Sequence, residues 1–201
     1  MLNIPFLSKG GDASSVYCEL PIACNNWSPE YASAPPASVR LSYEEGAGLH
    51  VRLIAEESGL LATVNTPDGR VCEDSCLEAF IDLSPDSGKG YLNIECNPLA
   101  AVHQAIGTGR YGRRFIRDMG LPATRAVATV TDGHWELSYT VSEELISALY
   151  GKPLRRGDVI RGNFYICADG KPAPYYATAF PISTPSPDYH RPEFFAEMTV
   201  S

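Results

Sequence analysis

The sequence predicts an all-β fold: a jelly-roll-like antiparallel β-sandwich of roughly ten strands with one short helix, one domain over residues 1–201. Three observations lead there. Apolar residues recur at every second position in many short runs, the period of half-buried strands. Glycine (17) and proline (16) punctuate those runs along the whole chain. A single stretch near 142–150 carries a helix start and stop instead.

The elements follow in order. Residues 37–43 place Val39, Leu41 and Tyr43 on one face against Ser38, Arg40 and Ser42, and 48–55 repeat the pattern with Leu49, Val51 and Leu53. Asp68-Gly69 marks a turn. Residues 76–83 alternate Leu77, Ala79, Ile81 and Leu83 with Glu78, Phe80 and Asp82. A turn-rich loop, 84–90, leads to 91–97, where Leu92, Ile94 and Cys96 oppose Asn93, Glu95 and Asn97; two such runs around a loop read as a hairpin. Residues 107–123 read as a long connection. A second hairpin, 124–131 and 133–141, turns at Asp132-Gly133 and puts Trp135, Leu137, Tyr139 and Val141 inward. Ser142 caps a short helix whose first turn holds Glu143 and Glu144, and Gly151 and Pro153 stop it. Residues 159–167 form a strand with Ile160, Gly162, Phe164 and Ile166 inward, and segments 174–182 and 194–200 close the fold.

Composition bounds the function. With 44% hydrophobic and 20% charged residues the chain has a globular make-up, and no apolar run reaches the ~18 residues a membrane span needs. The N-terminus lacks a basic start followed by a long apolar stretch, so the expected location is the cytoplasm, or outside the cell if the sequence is part of a longer one. A net charge of −8 argues against nucleic acid as partner; Arg110, Arg113, Arg114 and Arg117, interleaved with Tyr111 and Phe115, read as a solvated face. The expected partner is a small ligand, with the oligomeric state left open. Six cysteines without a zinc-knuckle spacing read mostly as structural thiols, with Cys76, Cys96 and Cys167 inside strands.

Three strands carry unusual outward faces. Glu78 and Asp82, then Asn93 and Glu95, then Arg161, Asn163 and Tyr165 place acids, amides, a guanidinium and a phenol together. That mixture suits a polyhydroxyl ligand, because carboxylates and amides bridge vicinal hydroxyls while a guanidinium donates in a planar fork. The alternative is an ordinary solvated face with cross-strand pairs such as Glu95 to Arg161. Glu78 and Glu95 would also serve as the two acids of a glycan-processing hydrolase. No nucleophile elbow, P-loop or dinucleotide fingerprint is present, and His103 and His134 read as isolated surface or packing residues. Asp74 and Asp82 are the candidate oxygen ligands for calcium, with Asp74 as a turn cap the alternative. Near the C-terminus, Arg191 is expected to pair with Glu193 or Asp188 and pin the last strand, with His190 beside it as a candidate ligand contact.

The block Glu73-Asp74-Ser75-Cys76-Leu77-Glu78-Ala79-Phe80-Ile81-Asp82 resembles the central motif of family 9 carbohydrate-binding modules. Tyr91 to Pro98, Arg161 to Tyr165 and Pro187 to Phe195 follow in the family's order, so the resemblance spans about residues 15–200. It implies a β-sandwich of the family 9 and DOMON type, often with calcium, that binds a glycan or a sugar end without catalysis. The residues carried over are Glu78, Asn93, Glu95, Arg161 and Asn163. The family clamps its sugar between two tryptophans; the matching regions here read Gly69-Arg70-Val71-Cys72 and Tyr175 to Phe180, which makes Tyr175, Tyr176 or Phe180 the replacement and Tyr176 the candidate contact. The DOMON branch implies a third reading, a haem or redox-cofactor binder with Met119, Met198 or a histidine as axial ligand.

Overall fold

The computed structural model describes residues 2–201. In chain order its elements are β1 (Leu2–Ile4), β2 (Phe6–Leu7), β3 (Cys18–Ile22), β4 (Ala37–Glu44), β5 (Gly48–Ala55), β6 (Cys76–Asp82) and β7 (Tyr91–Cys96). Then come β8 (Val102–Gly107), β9 (Arg114–Phe115), β10 (Val127–Thr131), β11 (His134–Ser142), α1 (Glu143–Tyr150), β12 (Val159–Cys167), β13 (Tyr176–Thr178) and β14 (Ala196–Val200). One sheet runs β1-β14-β12-β6-β7-β8-β9 with β13 also on β12; the other runs β10-β11-β5-β4-β2 with β3 also on β4.

The sandwich is the predicted one, with more strands. Fourteen are present among the described residues against about ten expected, because short edge strands such as β2 and β9 leave no readable alternation. Two pairings are parallel, β1 with β14 and β2 with β4, so the N-terminal segment ties one strand to each sheet.

The inner faces are the predicted apolar sets. Val39, Leu41, Tyr43, Leu49, Val51 and Leu53 from one sheet meet Leu77, Ala79, Ile81, Ile94, Phe164 and Ile166 from the other in one continuous core. Trp135 is fully buried there, and its indole N–H donates to buried Glu57, which also accepts from Ser75, Lys171 and Tyr175. Ser142 caps α1 by accepting from the Leu145 N–H, and Gly151 ends it at φ +89°, a backbone geometry that suits glycine. Tyr43 holds the helix to the core by donating to Glu143 at 2.7 Å.

The first sheet is buried on both faces. A second apolar cluster, Trp27, Val71, Phe80, Tyr91, Tyr165, Ile182, Tyr189 and Phe195 among its members, seals the outer face of β6, β7 and β12. Its cover comes from loops near positions 27, 71 and 182–195, and it brackets the polar residues of that face.

Candidate functional site

Register lays out the outer face in rows. Tyr165, Glu78, Glu95 and His103 form one row across β12, β6, β7 and β8; Asn163, Phe80, Asn93 and Ala105 form the next. Glu78 and Glu95 are therefore direct neighbours, their Cβ atoms about 5 Å apart as in any opposed antiparallel pair. Glu78 is 2% exposed and Glu95 7%.

These carboxylates open into a cavity of about 100 Å³. Strand residues Glu78, Phe80, Glu95 and Cys167 make its floor, and Cys72, Arg110, Asp169, Tyr176 and the 187–190 loop make its walls. His190 is held by a 2.8 Å hydrogen bond between Nδ1 and the Tyr91 hydroxyl and lies on Phe80, ring centroids 4.8 Å apart. Asp188 accepts from Arg110 at 2.9 Å and from the His190 N–H at 3.1 Å, which fixes the rim.

The two acids have unequal support. Burial pushes Glu78 well up, Glu95 adds to the push by repulsion, and the Cys167 thiol, 3.1 Å away as donor, opposes it. Burial raises Glu95 too, against His103, the Asn93 amide donating at 2.8 Å, and Arg113. Glu78 is thus the better proton holder and Glu95 the better anion. His103 places Nδ1 3.1–3.2 Å from the carbonyls of Gly69 and Asp68, so Nδ1 carries the proton. This histidine is Glu95's cross-strand neighbour rather than an isolated one.

Asn93 stands behind the site: its amide donates to Glu95 and its carbonyl accepts both Nε and Nη2 of Arg113. Arg113 also donates to the Gly109, Tyr91 and Ala105 carbonyls and lies 4.2 Å over the Tyr91 ring. It belongs to the half-buried scaffold behind the site, which corrects its assignment to a solvated face; burial lowers its pKa while Tyr91 and Glu95 raise it.

Of the predicted contacts, the structure brings Glu78, Glu95, Tyr176 and His190 to the cavity. Others lie elsewhere. Arg161 faces the same side but two rows away, where it pairs with Glu197 at 2.6 Å and not with Glu95. Asn163 is buried and clips the Phe180 backbone through two hydrogen bonds, while Tyr165 stacks on Tyr189 at 4.1 Å and donates to its carbonyl. Asp74 is fully engaged by the Thr63 and Val64 amides, the Thr63 hydroxyl and Asn97, the turn-fixing alternative. Asp82 sits at the far end of β6 bonded to the Ser84 N–H, so the two proposed calcium ligands are not brought together.

Tyr176 is the only one of the three aromatic replacements on the cavity wall. Tyr175 points to Glu57, and Phe180 packs on the main core. Trp27 packs behind, 6.0 Å from Tyr189 and 6.2 Å from Tyr176, with its indole N–H on the Thr184 carbonyl. Met198 is fully buried inside the sandwich and Met119 packs against the same core, so neither is placed as an axial ligand to a group in the cavity. Sequence reasoning missed Cys72, Arg110, Asp169 and Asp188, which sit outside the strands and carry no period to read.

A wider groove of about 830 Å³ runs over the outer face of the other sheet. Several of its charges are paired within the fold, Arg52 with Glu136, His50 with Glu44 and Arg40 with Glu19, and among the described residues its lining holds no buried carboxylate pair. The smaller cavity holds the concentrated chemistry.

Comparison with solved structures agrees with the fold. A Bacteroides uniformis protein provisionally described as carbohydrate-binding superposes with a TM-score of 0.79 at 22% identity, covering 100% of this chain and 99% of that one. A family 9 carbohydrate-binding module from Caldicellulosiruptor kristjanssonii in complex with glucose gives 0.66 at 12% identity, over 99% and 95% of the two chains. The cellotriose complex of a family 9 module from the same organism gives 0.63 at 13%, over 98% and 93%. The chain matches no curated protein sequence. The sequence profile of carbohydrate-binding family 9 matches residues 13–200, nearly the whole length. With a match over nearly its whole length, the chain belongs to carbohydrate-binding family 9.

Proposed function

We propose that this chain is a non-catalytic carbohydrate-binding module that holds the end of a saccharide in the cavity floored by Glu78 and Glu95. The single observation that carries the reading is that buried carboxylate pair facing a small, half-open polar cavity. Vicinal hydroxyls satisfy such a pair: each hydroxyl donates to a carboxylate oxygen and accepts from a protonated neighbour or from Arg110. Tyr176 and His190 supply rings for the apolar C–H face of a pyranose.

Size favours a chain end over a chain interior. At about 100 Å³ the cavity is well below the ~300–1,000 Å³ of sites that engulf larger ligands, so only part of a terminal unit enters and the rest of the chain stays outside. The glucose and cellotriose complexes of family 9 modules with this fold make gluco-configured ends the first ligands to try.

Isothermal titration with glucose, cellobiose and cellotriose, followed by chromatography of the recovered sugar, tests the reading. Expected is saturable binding with the sugar returned unchanged, and loss of binding in Glu95→Ala. Released shorter sugars that vanish in Glu78→Gln would support the hydrolase reading instead. No saturable binding of any saccharide on a broad glycan array would remove the proposal.

A further inference from the structure

The saccharide reading leaves one pair of side chains unused. Cys76 on β6 and Cys167 on β12 are register partners, both fully buried, and both on the cavity side of the sheet. The third buried strand cysteine, Cys96, faces the sandwich core among aliphatic residues, where a thiol is a small hydrophobe. Cys76 and Cys167 have different company. Glu78 lies two residues along β6 on the same face, and both sulfurs and a Glu78 carboxylate oxygen all fall within 4.8 Å of one another. Glu95 and Asp169 line the same cavity, and among the described residues no basic side chain is bonded to Glu78, the cavity's Arg110 being paired with Asp188.

A tetrahedral zinc ion, with Zn–S near 2.3 Å and Zn–O near 2.1 Å, separates its ligand atoms by roughly 3.6–3.8 Å. The present spacing brackets that value: the Cys167 sulfur is 3.1 Å from Glu78 Oε1, and no ligand pair exceeds 4.8 Å. Small side-chain adjustments suffice, without moving the strands. We propose that Cys76, Cys167 and Glu78 form a binding site for a thiophilic divalent cation of the zinc class. Two sulfurs and one carboxylate select such an ion over calcium or magnesium, which take six or more oxygens. Glu78 and Cys167 line the cavity, so ion entry and a fourth, exogenous ligand both come from that side. Binding displaces the protons of both thiols and of Glu78 to solvent, and the dication offsets the buried negative charge so formed.

The inference does not rest on the saccharide reading, and its test uses no sugar. The full chain, reduced and stripped with chelator, is titrated with Co²⁺ under anaerobic conditions. Expected are one equivalent of binding, a thiolate-to-cobalt charge-transfer band, tetrahedral d–d bands, and displacement by Zn²⁺. Cys76→Ser and Cys167→Ser each lose the charge-transfer intensity and at least tenfold in affinity, whereas Cys18→Ser and Cys24→Ser, both away from the cavity, keep both. If a cysteine variant fails to fold, zinc-edge X-ray absorption on the wild-type chain decides: two sulfur neighbours with oxygen are expected. Absence of a cobalt–thiolate spectrum, its survival in the Cys76 and Cys167 variants, or a zinc shell without sulfur or with four sulfurs overturns the proposal.

Discussion

Glu78 and Glu95 face each other directly across β6 and β7, and only Glu95 has an amide, a histidine neighbour and a guanidinium to hold its charge. Glu78 is therefore retained at a cost to the folded state. Glu78→Gln removes one of two neighbouring buried acids while keeping shape, so thermal unfolding at pH 7 is expected to move up or stay level. Saccharide affinity falls only about 2–10-fold, the ~0.5–1.5 kcal/mol of a neutral hydrogen bond, because the amide stands in for a protonated acid. Differential scanning fluorimetry beside calorimetric titration checks both; a destabilised variant with intact affinity would contradict this account.

His190 gives an acid dependence with a definite sign. Burial lowers its pKa to about 3 from the usual 6.5, helped by Arg113 and Arg110, with Asp188 opposing and His103 adding to the lowering. The folded state thus rejects a proton that the unfolded chain accepts. Its contribution is full above about pH 6.5 and drains away as pH falls toward 3. His190→Gln, which keeps an acceptor for Tyr91, is expected to lose less stability than wild type between pH 7 and 5. Urea unfolding across that range is the measurement, and parallel slopes would refute the assignment.

Asp74 works in a lower window. Burial raises its pKa, but hydrogen bonds from Val64, Asn97 and Thr63 outweigh that and hold it below the ordinary aspartate value of 3.8. Its stability is present above that value and lost only as pH falls through the folded pKa. Asp74→Ala strands several donors and costs about 3 kcal/mol or more, roughly 6–12 °C in melting temperature for a chain of this size. Added calcium restores none of it, because the four partners of Asp74 are protein groups.

Arg113 and Arg117 make a matched pair of substitutions. Arg113→Ala breaks donations to four partners and leaves the Asn93 carbonyl unmet, so a loss of about 2–4 kcal/mol is expected together with weaker ligand binding. Arg117, 57% exposed at its ion pair with Asp68, changes stability by about 0.5 kcal/mol or less. Chemical denaturation of the two variants side by side distinguishes a scaffold arginine from a surface one.

The C-terminal block yields a similar contrast. Arg191 pairs with Glu193 at 2.7 Å and lies 3.9 Å from Asp188, the expected partners, but the pair is exposed. Arg191→Ala should therefore cost under about 1 kcal/mol. Phe195 is buried edge-on against Tyr91, 5.0 Å between centroids, and Phe195→Ala should cost about 3 kcal/mol. Equal melting temperatures for the two variants would show that the last strand is pinned differently.

These contrasts show where sequence reading succeeds. Long two-faced strands such as β4, β5, β6, β7, β11 and β12 are legible because one face is uniformly apolar. β8 is not, since inward-facing Gln104 breaks the pattern; the fold satisfies it by pairing its amide with Thr124, a contact no local rule anticipates. Glu78, Glu95 and their shared face are legible by parity alone. Parity does not measure distance along the strand, so it put Arg161 in the site although it lies four residues, about 13 Å, from the Tyr165 row. The wall residues Asp169 and Asp188 come from loops whose position depends on the finished sheet.

That dependence bears on folding. The cover over the outer face joins Trp27 near one end of the chain to Tyr189 and Phe195 near the other, and it is a smaller cluster than the main core. The cover can therefore lift as a sub-global unit while the sandwich persists, and with it goes the cavity wall. A ligand bound only to the closed form adds its whole free energy to that one unit, about 2.7 kcal/mol at a hundred times its dissociation constant. Amide exchange slowed by sugar should then concentrate in the loops around 27, 71 and 182–195, leaving strands on the far sheet unchanged.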